Sequence, residues 1–196
     1  METCRKVAKW MGGYDRPWGI AGGWAIDLFV GNETREHSDI EIAVLREDQR
    51  RFKNVLADWS FQKAVNGELV DWDLEMLELP IHELHGNHKR SEERLEVLIN
   101  EVENEQWVFR RDPTITFPSS TLFLNSEEGI PYLNPAIVLL YKAKNFREKD
   151  DADFKVVKDL LSHEDQHWLC KALETHVPGH EWISRLQEGI ECSTAE

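Results

Sequence analysis

The chain has 196 residues, 41% of them hydrophobic and 31% charged, which fits a packed domain, with or without a helical appendage, and excludes a disordered chain. A formal net charge of −14 repels a polyanion, so nucleic acid is disfavoured as a partner, whereas a small cationic substrate would be drawn in. No apolar run approaches the ~20 residues that span a bilayer. The N-terminus has no signal-peptide apolar region, and Cys4, Cys170 and Cys192 are too widely spaced to suggest pairing, so a cytoplasmic protein with free thiols is expected.

Residues 3–11 read as a helix stopped by Gly12 and Gly13. Trp18 to Ala21 reads as a short buried strand ending at Gly22-Gly23, and Trp24 to Val30 as a buried helix closed by Gly31. Asp39 to Leu45 alternates, with Ile40, Ile42 and Val44 on one face and Asp39, Glu41 and Ala43 on the other, which predicts a strand. Residues 47–58 predict an amphipathic helix, and 60–65, 69–79, 94–99 and 106–110 predict strands, with Gly67, Gly86 and Asn87 in polar turns between them. After Pro118 the pattern changes to four helices, 134–147, 151–162, 164–176 and 180–190, the first with Asn134 as N-cap and Pro135 at its first position. The expectation is an α+β protein, with a core over residues 1–115 and a helical part over 116–196. No repeat or low-complexity tract is evident, and no feature speaks to oligomeric state.

The chemistry concentrates in the first half. A strand runs into Gly22-Gly23 and a helix follows at once; glycines let backbone approach a phosphate, and a helix N-terminus presents free N–H groups. The ordinary reading of such a pair is a plain strand-to-helix turn. Further on, Asp39 and Glu41 lie two apart on a strand, hence on one face and close together. Two like charges so placed either face water or share a cation. Glu96 is the single acid inside the apolar run 94–99, where lost hydration would raise its pKa and suit it to act as a base.

The stretch from Ala21-Gly22-Gly23-Trp24-Ala25 through Thr34-Arg35-Glu36-His37 to Asp39-Ile40-Glu41 resembles the start of the aminoglycoside nucleotidyltransferases and their lincosamide-modifying relatives. The segments 107–113 and 139–144 resemble further parts of that group. The resemblance implies a mixed β-sheet core of the polymerase-beta type with a helical C-terminal part. It implies transfer of a nucleoside monophosphate, usually AMP from Mg2+-bound ATP, to a hydroxyl of a small molecule. Carried over residue by residue, Asp39, Glu41 and Glu96 match the metal-binding and catalytic acids, Glu96 being the base. Gly22, Gly23 and Trp24 match the phosphate-side turn, and Arg35 and His37 the Arg-x-His before the acids. Lys142 and Lys144 would neutralise the triphosphate, only one of them facing it if both lie on a helix, with Arg110 as another candidate. Glu41 stands where the family usually has Asp, and so does Glu96.

Two other readings compete. A nucleotide-binding or regulatory protein of the toxin–antitoxin type could use the same fold without a small-molecule acceptor. His163-Glu164-Asp165-Gln166-His167 spells the zinc-peptidase pattern, although Ser162 reads as a helix N-cap, which would leave both histidines in a solvated first turn. His82, His85 and His88 read as a polar turn, and Trp24, Trp59, Trp107 and Trp168 as core or its cover rather than base-stacking groups.

Overall fold

The computed structural model describes residues 1–73 and 75–193, with side chains as far as Glu188. In chain order, α1 (Glu2–Trp10) precedes β1 (Trp18–Ile20), α2 (Gly22–Val30) and β2 (Glu41–Leu45), and a 3-10 turn leads into α3 (Gln49–Val55). The strands β3 (Trp59–Val65), β4 (Glu68–Asp71), β5 (Glu83–His88), β6 (Arg94–Glu103) and β7 (Gln106–Val108) come next. Three short strands follow, β8 (Thr116–Pro118), β9 (Phe123–Asn125) and β10 (Pro131–Leu133), before the helices α4 (Pro135–Ala143), α5 (Glu148–Val157), α6 (His163–His176) and α7 (Glu181–Ser193). No helix among the described residues is long and apolar enough to cross a membrane.

The main sheet is mixed, in the order β4-β3-β5-β6-β2-β1-β10-β9, with β7 and β8 branching from β6. β2 is central, antiparallel to β1 and parallel to β6. Ile42, Ala43 and Val44 are each 0% exposed, so β2 is covered on both faces, unlike the half-solvated strand that its alternation predicts. Its polar portion survives only at the entrance: Asp39 is exposed and lies before the strand, and Glu41 is the first strand residue. Helix α2 packs on α4 and α5, and α6 on α4 and α7. Helix α5 is tied to α7 by Phe154 and Trp182, whose rings stack at 4.4 Å.

Three expected elements differ. The strand expected over 69–79 ends at Asp71, and its Leu74 lies outside the described residues. Lys53 Nζ donates to the Trp72 carbonyl at 2.6 Å and also to that of Asp73, while the Trp72 indole donates to the Glu75 carbonyl at 3.0 Å, which turns the chain out of the sheet. The residues expected to form a turn around Gly86 are strand β5, between β3 and β6. A Cβ on Gly86 would meet Phe61 Cε1 at 2.8 Å and the Leu95 carbonyl at 3.0 Å, so this glycine serves close packing inside a sheet. Finally, β10 and β9 extend the sheet beside β1 where only connecting chain was expected.

Helix α4, which presents Lys142 to the site, starts as expected. The Asn134 side chain accepts the Ala136 N–H at 2.9 Å, and Pro135 occupies the first turn. Asn134→Ala should lower the unfolding free energy by about 1–2 kcal/mol in urea denaturation, with Asn134→Asp recovering most of it; an unchanged midpoint would show that the cap contributes nothing.

Candidate active site

The turn between β1 and α2 is shaped by what lies against it. Ala21 N–H donates to the Glu41 carbonyl at 2.8 Å, bringing the start of β2 alongside the start of the helix. Gly22 has φ +60°, a conformation costly for other residues, and a Cβ built there would overlap the Glu41 carboxylate. A Cβ on Gly23 would overlap the His37 ring and lie 2.6 Å from Arg35 Nη2. Both glycines thus make room for side chains of the site itself, beside the N-terminus of α2.

The Arg35-x-His37 segment is held from beneath. Asp27, fully buried in α2, accepts His37 Nε2 through Oδ2 at 2.6 Å and the Thr34 hydroxyl and N–H through Oδ1 at 2.5 and 3.0 Å. The His37 ring stands 4.5 Å from that of Trp24, and burial pushes its pKa below the ordinary imidazole value. Trp24 is buried and lies outside the cleft, so the α2 turn reaches it through its backbone and not this indole. Arg35 forms a two-pronged pair with Asp153 of α5, at 2.8 Å on each side. Lys142 Nζ sits between Asp150 at 2.9 Å and Asp153 at 3.0 Å, and Arg147 Nε reaches Asp150 at 3.0 Å. Asp27, Asp150 and Asp153 were not singled out by the sequence. A lone acid inside the apolar helix Gly22–Val30 is a usable signal for Asp27; nothing local marks the other two.

Two acids and a histidine form a row across three strands. Glu41 is in register with Glu96 on the parallel neighbour β6, and Glu96 with His85 on the antiparallel neighbour β5, so the three side chains share one face. Lost hydration, reinforced by Glu96, pushes the Glu41 carboxyl up to about 7, with Lys142 opposing. Burial also raises Glu96, in line with its expected environment, and Glu83 adds to the effect. His85 lies 3.2 Å from Glu83 and 3.8 Å from Glu96. Among the described residues, the one group of three or more His, Cys, Asp or Glu with ligand atoms within 4.8 Å of one another is Glu83, His85 and Glu96; Asp39, Glu41 and Glu96 are not drawn together so closely. The oxygen donors nonetheless suit a hard divalent cation, since a bound ion would offset both the lost hydration and the repulsion from Glu96 that raise Glu41.

Two clefts meet at Ser38 and Asp39. One, of about 470 Å3, is lined by Gly22, Gly23, His37, Asp39 and Glu41, and by the cations Arg35, Arg111, Lys142, Lys144, Arg147 and Lys149, a positive concentration in a chain of net charge −14. Lys142, in the last turn of α4, and Lys144, which caps that helix, both line it, so the expectation that only one of them would face the cleft does not hold. Arg110 does not line it. The other cleft, of about 580 Å3, is lined by Asp39, His85, Glu92 and Glu96, with Arg94 its one Lys or Arg.

The remaining motifs fall away from this place. Ser162 accepts the Asp165 N–H at 3.1 Å, and His163 and His167 are exposed in the first turns of α6, with no third ligand gathered to them among the described residues. Trp59 and Trp107 are buried, as expected, and Trp168 covers the core at Thr116. Cys4 and Cys170 are free and buried; the Cys192 side chain lies outside the described residues.

A mixed sheet whose central strand sets a carboxylate against a glycine turn and a helix N-terminus, beside a cation-lined cleft, is the architecture of a nucleotidyltransferase. The family model described as aminoglycoside-2''-adenylyltransferase matches residues 4–116, and the chain belongs to that family. No curated protein matches it in sequence. Its fold is similar to the crystal structure of ANT(2'')-Ia in complex with adenylyl-2''-tobramycin, at TM-score 0.59 and 12% identity, covering 90% of this chain and 98% of that one. It is similar also to the lincomycin-bound lincosamide antibiotic adenylyltransferase LnuA, at TM-score 0.58 and 18% identity, covering 82% and 98%. The solution structure of ANT(2'')-Ia gives TM-score 0.56 at 18% identity, covering 92% and 94%.

Because Glu41 has its folded pKa raised to about 7 from 4.5, the folded state holds the extra proton between those values. The stabilisation is complete below 4.5 and is lost as pH rises through about 7. Relative to wild type, Glu41→Gln should therefore gain melting temperature as pH rises from 4.5 through about 7, and above that range Mg2+ should stabilise the wild type more than the variant. Parallel pH profiles for the two proteins would contradict this assignment.

Proposed function

We propose that the chain transfers AMP from Mg2+-ATP to a hydroxyl of a small, cationic acceptor of the aminoglycoside or lincosamide kind. The observation that carries this reading is the meeting of a basic and an acidic cleft at Asp39. The basic cleft suits a triphosphate and the acidic one a cationic acceptor. The neighbours whose structures hold adenylyl-2''-tobramycin and lincomycin lend support.

Asp39 and Glu41 are the candidate Mg2+ ligands, with Glu96 as a third that would have to turn towards them. When bound, the divalent ion supplies charge neutralisation on the α-phosphate and the departing pyrophosphate. The Gly22-Gly23 turn stands at the N-terminus of α2, whose free N–H groups would hold the phosphates, with Glu41 beside it to hold the metal. Lys142 and Arg35, fixed by Asp150 and Asp153, hold positive charge at the cleft wall, and His37 holds the Arg35 segment against α2. Glu96 faces the acceptor cleft, where it takes the proton of the acceptor hydroxyl. The new bond joins that oxygen to the α-phosphorus, the bond to the β-phosphate oxygen breaks, and pyrophosphate leaves. On this reading residues 1–115 supply the acids and the acceptor cleft, and residues 116–196 most of the cations. All of these groups lie on parts of the chain with no membrane-spanning helix, and a cytoplasmic site of action, where ATP is available, is part of the proposal.

The test is incubation with labelled ATP, Mg2+ and a panel of aminoglycosides, lincosamides, RNA and proteins. Label should move to a small molecule; self-labelling or transfer to RNA or protein would favour a regulatory protein instead. Glu96→Gln should lower the transfer rate by at least about 100-fold while ATP binding persists, whereas Asp39→Asn should weaken Mg2+-dependent ATP binding. Transfer unaffected by both variants would remove the acids from the mechanism.

A further inference from the structure

We infer that Arg111 is the side chain that grips the tail of the triphosphate, the two phosphates that leave as pyrophosphate. This rests on reading the basic cleft as the triphosphate site. The cations that the sequence nominates for the task are largely engaged already. Arg35 is forked onto Asp153, Lys142 is shared between Asp150 and Asp153, and both acids are 1% exposed, so these pairs are interior structure. Arg147 pairs with Asp150. Lys144 and Lys149 are exposed ammonium groups, well hydrated and weakly placed.

Arg111 differs from all of them. It lines the cleft and is partly buried, and no carboxylate lies within ion-pairing distance of it among the described residues. The acid next to it in sequence is committed elsewhere, the Asp112 Oδ1 accepting the Thr114 N–H at 3.0 Å and its hydroxyl at 2.6 Å. The guanidinium is nevertheless held in place. Nη1 donates to the Tyr141 carbonyl at 3.1 Å, and Cζ lies 5.3 Å from the centre of the Tyr141 ring. One of its five N–H groups is therefore spent, and the rest are available in a planar fork that suits two phosphate oxygens. Burial, with the neighbouring charge of Arg110, pushes the Arg111 pKa down, as expected of a cation that lacks its counter-charge. Arg110 packs on the same ring at 5.7 Å but lies outside the cleft, which makes it the natural control.

The experiment is titration calorimetry of the whole chain with tripolyphosphate and, separately, with Mg2+-ATP, alongside thermal melts without ligand. Arg111→Ala should weaken both ligands by at least about tenfold. Arg111→Lys should recover part of the loss, and Arg110→Ala should bind as wild type. The unliganded Arg111→Ala protein should melt at or above the wild-type temperature, because a half-buried unpaired charge has been removed; a purely structural arginine on Tyr141 would give a lower one. Tripolyphosphate affinity within about twofold of wild type in Arg111→Ala, or an equal loss in Arg110→Ala, overturns the inference. Arg111-dependent tripolyphosphate binding without ATP binding or transfer leaves the anion grip standing and removes adenylyl transfer; a wild type that binds neither ligand overturns both.

Discussion

A carboxylate occupies the space where a side chain on residue 22 would be. Gly22, at φ +60°, leaves room for Glu41 at the mouth of α2, and the Ala21 N–H to Glu41 carbonyl bond fixes the two segments side by side. The remaining site geometry follows from this contact. It sets β2 between β1 and β6, and the β2–β6 register then brings Glu96 next to Glu41 and, across β6, His85 next to Glu96. The same contact sets the charge problem of the site: Glu41 is short of water and has another carboxylate beside it. A larger residue at position 22 would displace the acid, and with it the relation between turn and strand.

The positive side is organised by buried acids rather than by free cations. Asp150 and Asp153 each hold cleft-lining bases, and the chain Arg35–Asp153–Lys142–Asp150–Arg147 links the segment before β2 to α4 and α5. Removing one member of such a network leaves its partner buried and uncompensated, which costs more than the intact pair contributes. The network therefore acts mainly as a positioning device, aligning the helical part with the strand that carries Glu41 and the segment before it that carries Asp39. Its second effect is subtractive: Asp150 and Asp153 offset two of the three charges of Arg35, Lys142 and Arg147, and the cleft cations without a carboxylate partner among the described residues are Arg111, Lys144 and Lys149, in a chain whose net charge is −14.

Much of the fold could be read from local pattern. The Gly-Gly turn, the helix after it, the β2 segment, and the Asn134-Pro135 start of α4 all announce themselves through spacing and capping chemistry. What stayed hidden depends on contacts distant in sequence. Strand β5 reads as a turn because Glu83-Leu84-His85-Gly86-Asn87-His88 is polar and contains glycine, and only the approach of Phe61 and Leu95 explains why glycine is needed there. The end of β4 depends on Lys53, about twenty residues earlier in the chain, capturing the Trp72 and Asp73 carbonyls. At the site, Glu41 and Glu96 were legible as acids on strands, whereas Asp39, expected on the same strand, lies just before it; the ion pairs of Arg35 and Lys142 were not legible, because their partners, Asp150 and Asp153, sit in an ordinary-looking acidic helix start. Ion pairing between residues 118 positions apart, such as Arg35 and Asp153, leaves no periodic trace.

The central claim is that the acids beside the Gly22 turn, and not the Glu83–His85–Glu96 group, hold the metal that carries the nucleotide. It is tested most directly by anomalous diffraction from crystals grown with Mn2+ and a non-hydrolysable ATP analogue. The expected map has its principal anomalous peak between the Asp39 and Glu41 carboxylates, with the analogue's phosphates running from the α2 N-terminus into the basic cleft. A principal peak enclosed by Glu83, His85 and Glu96, with no phosphate density at Gly22-Gly23, would contradict it.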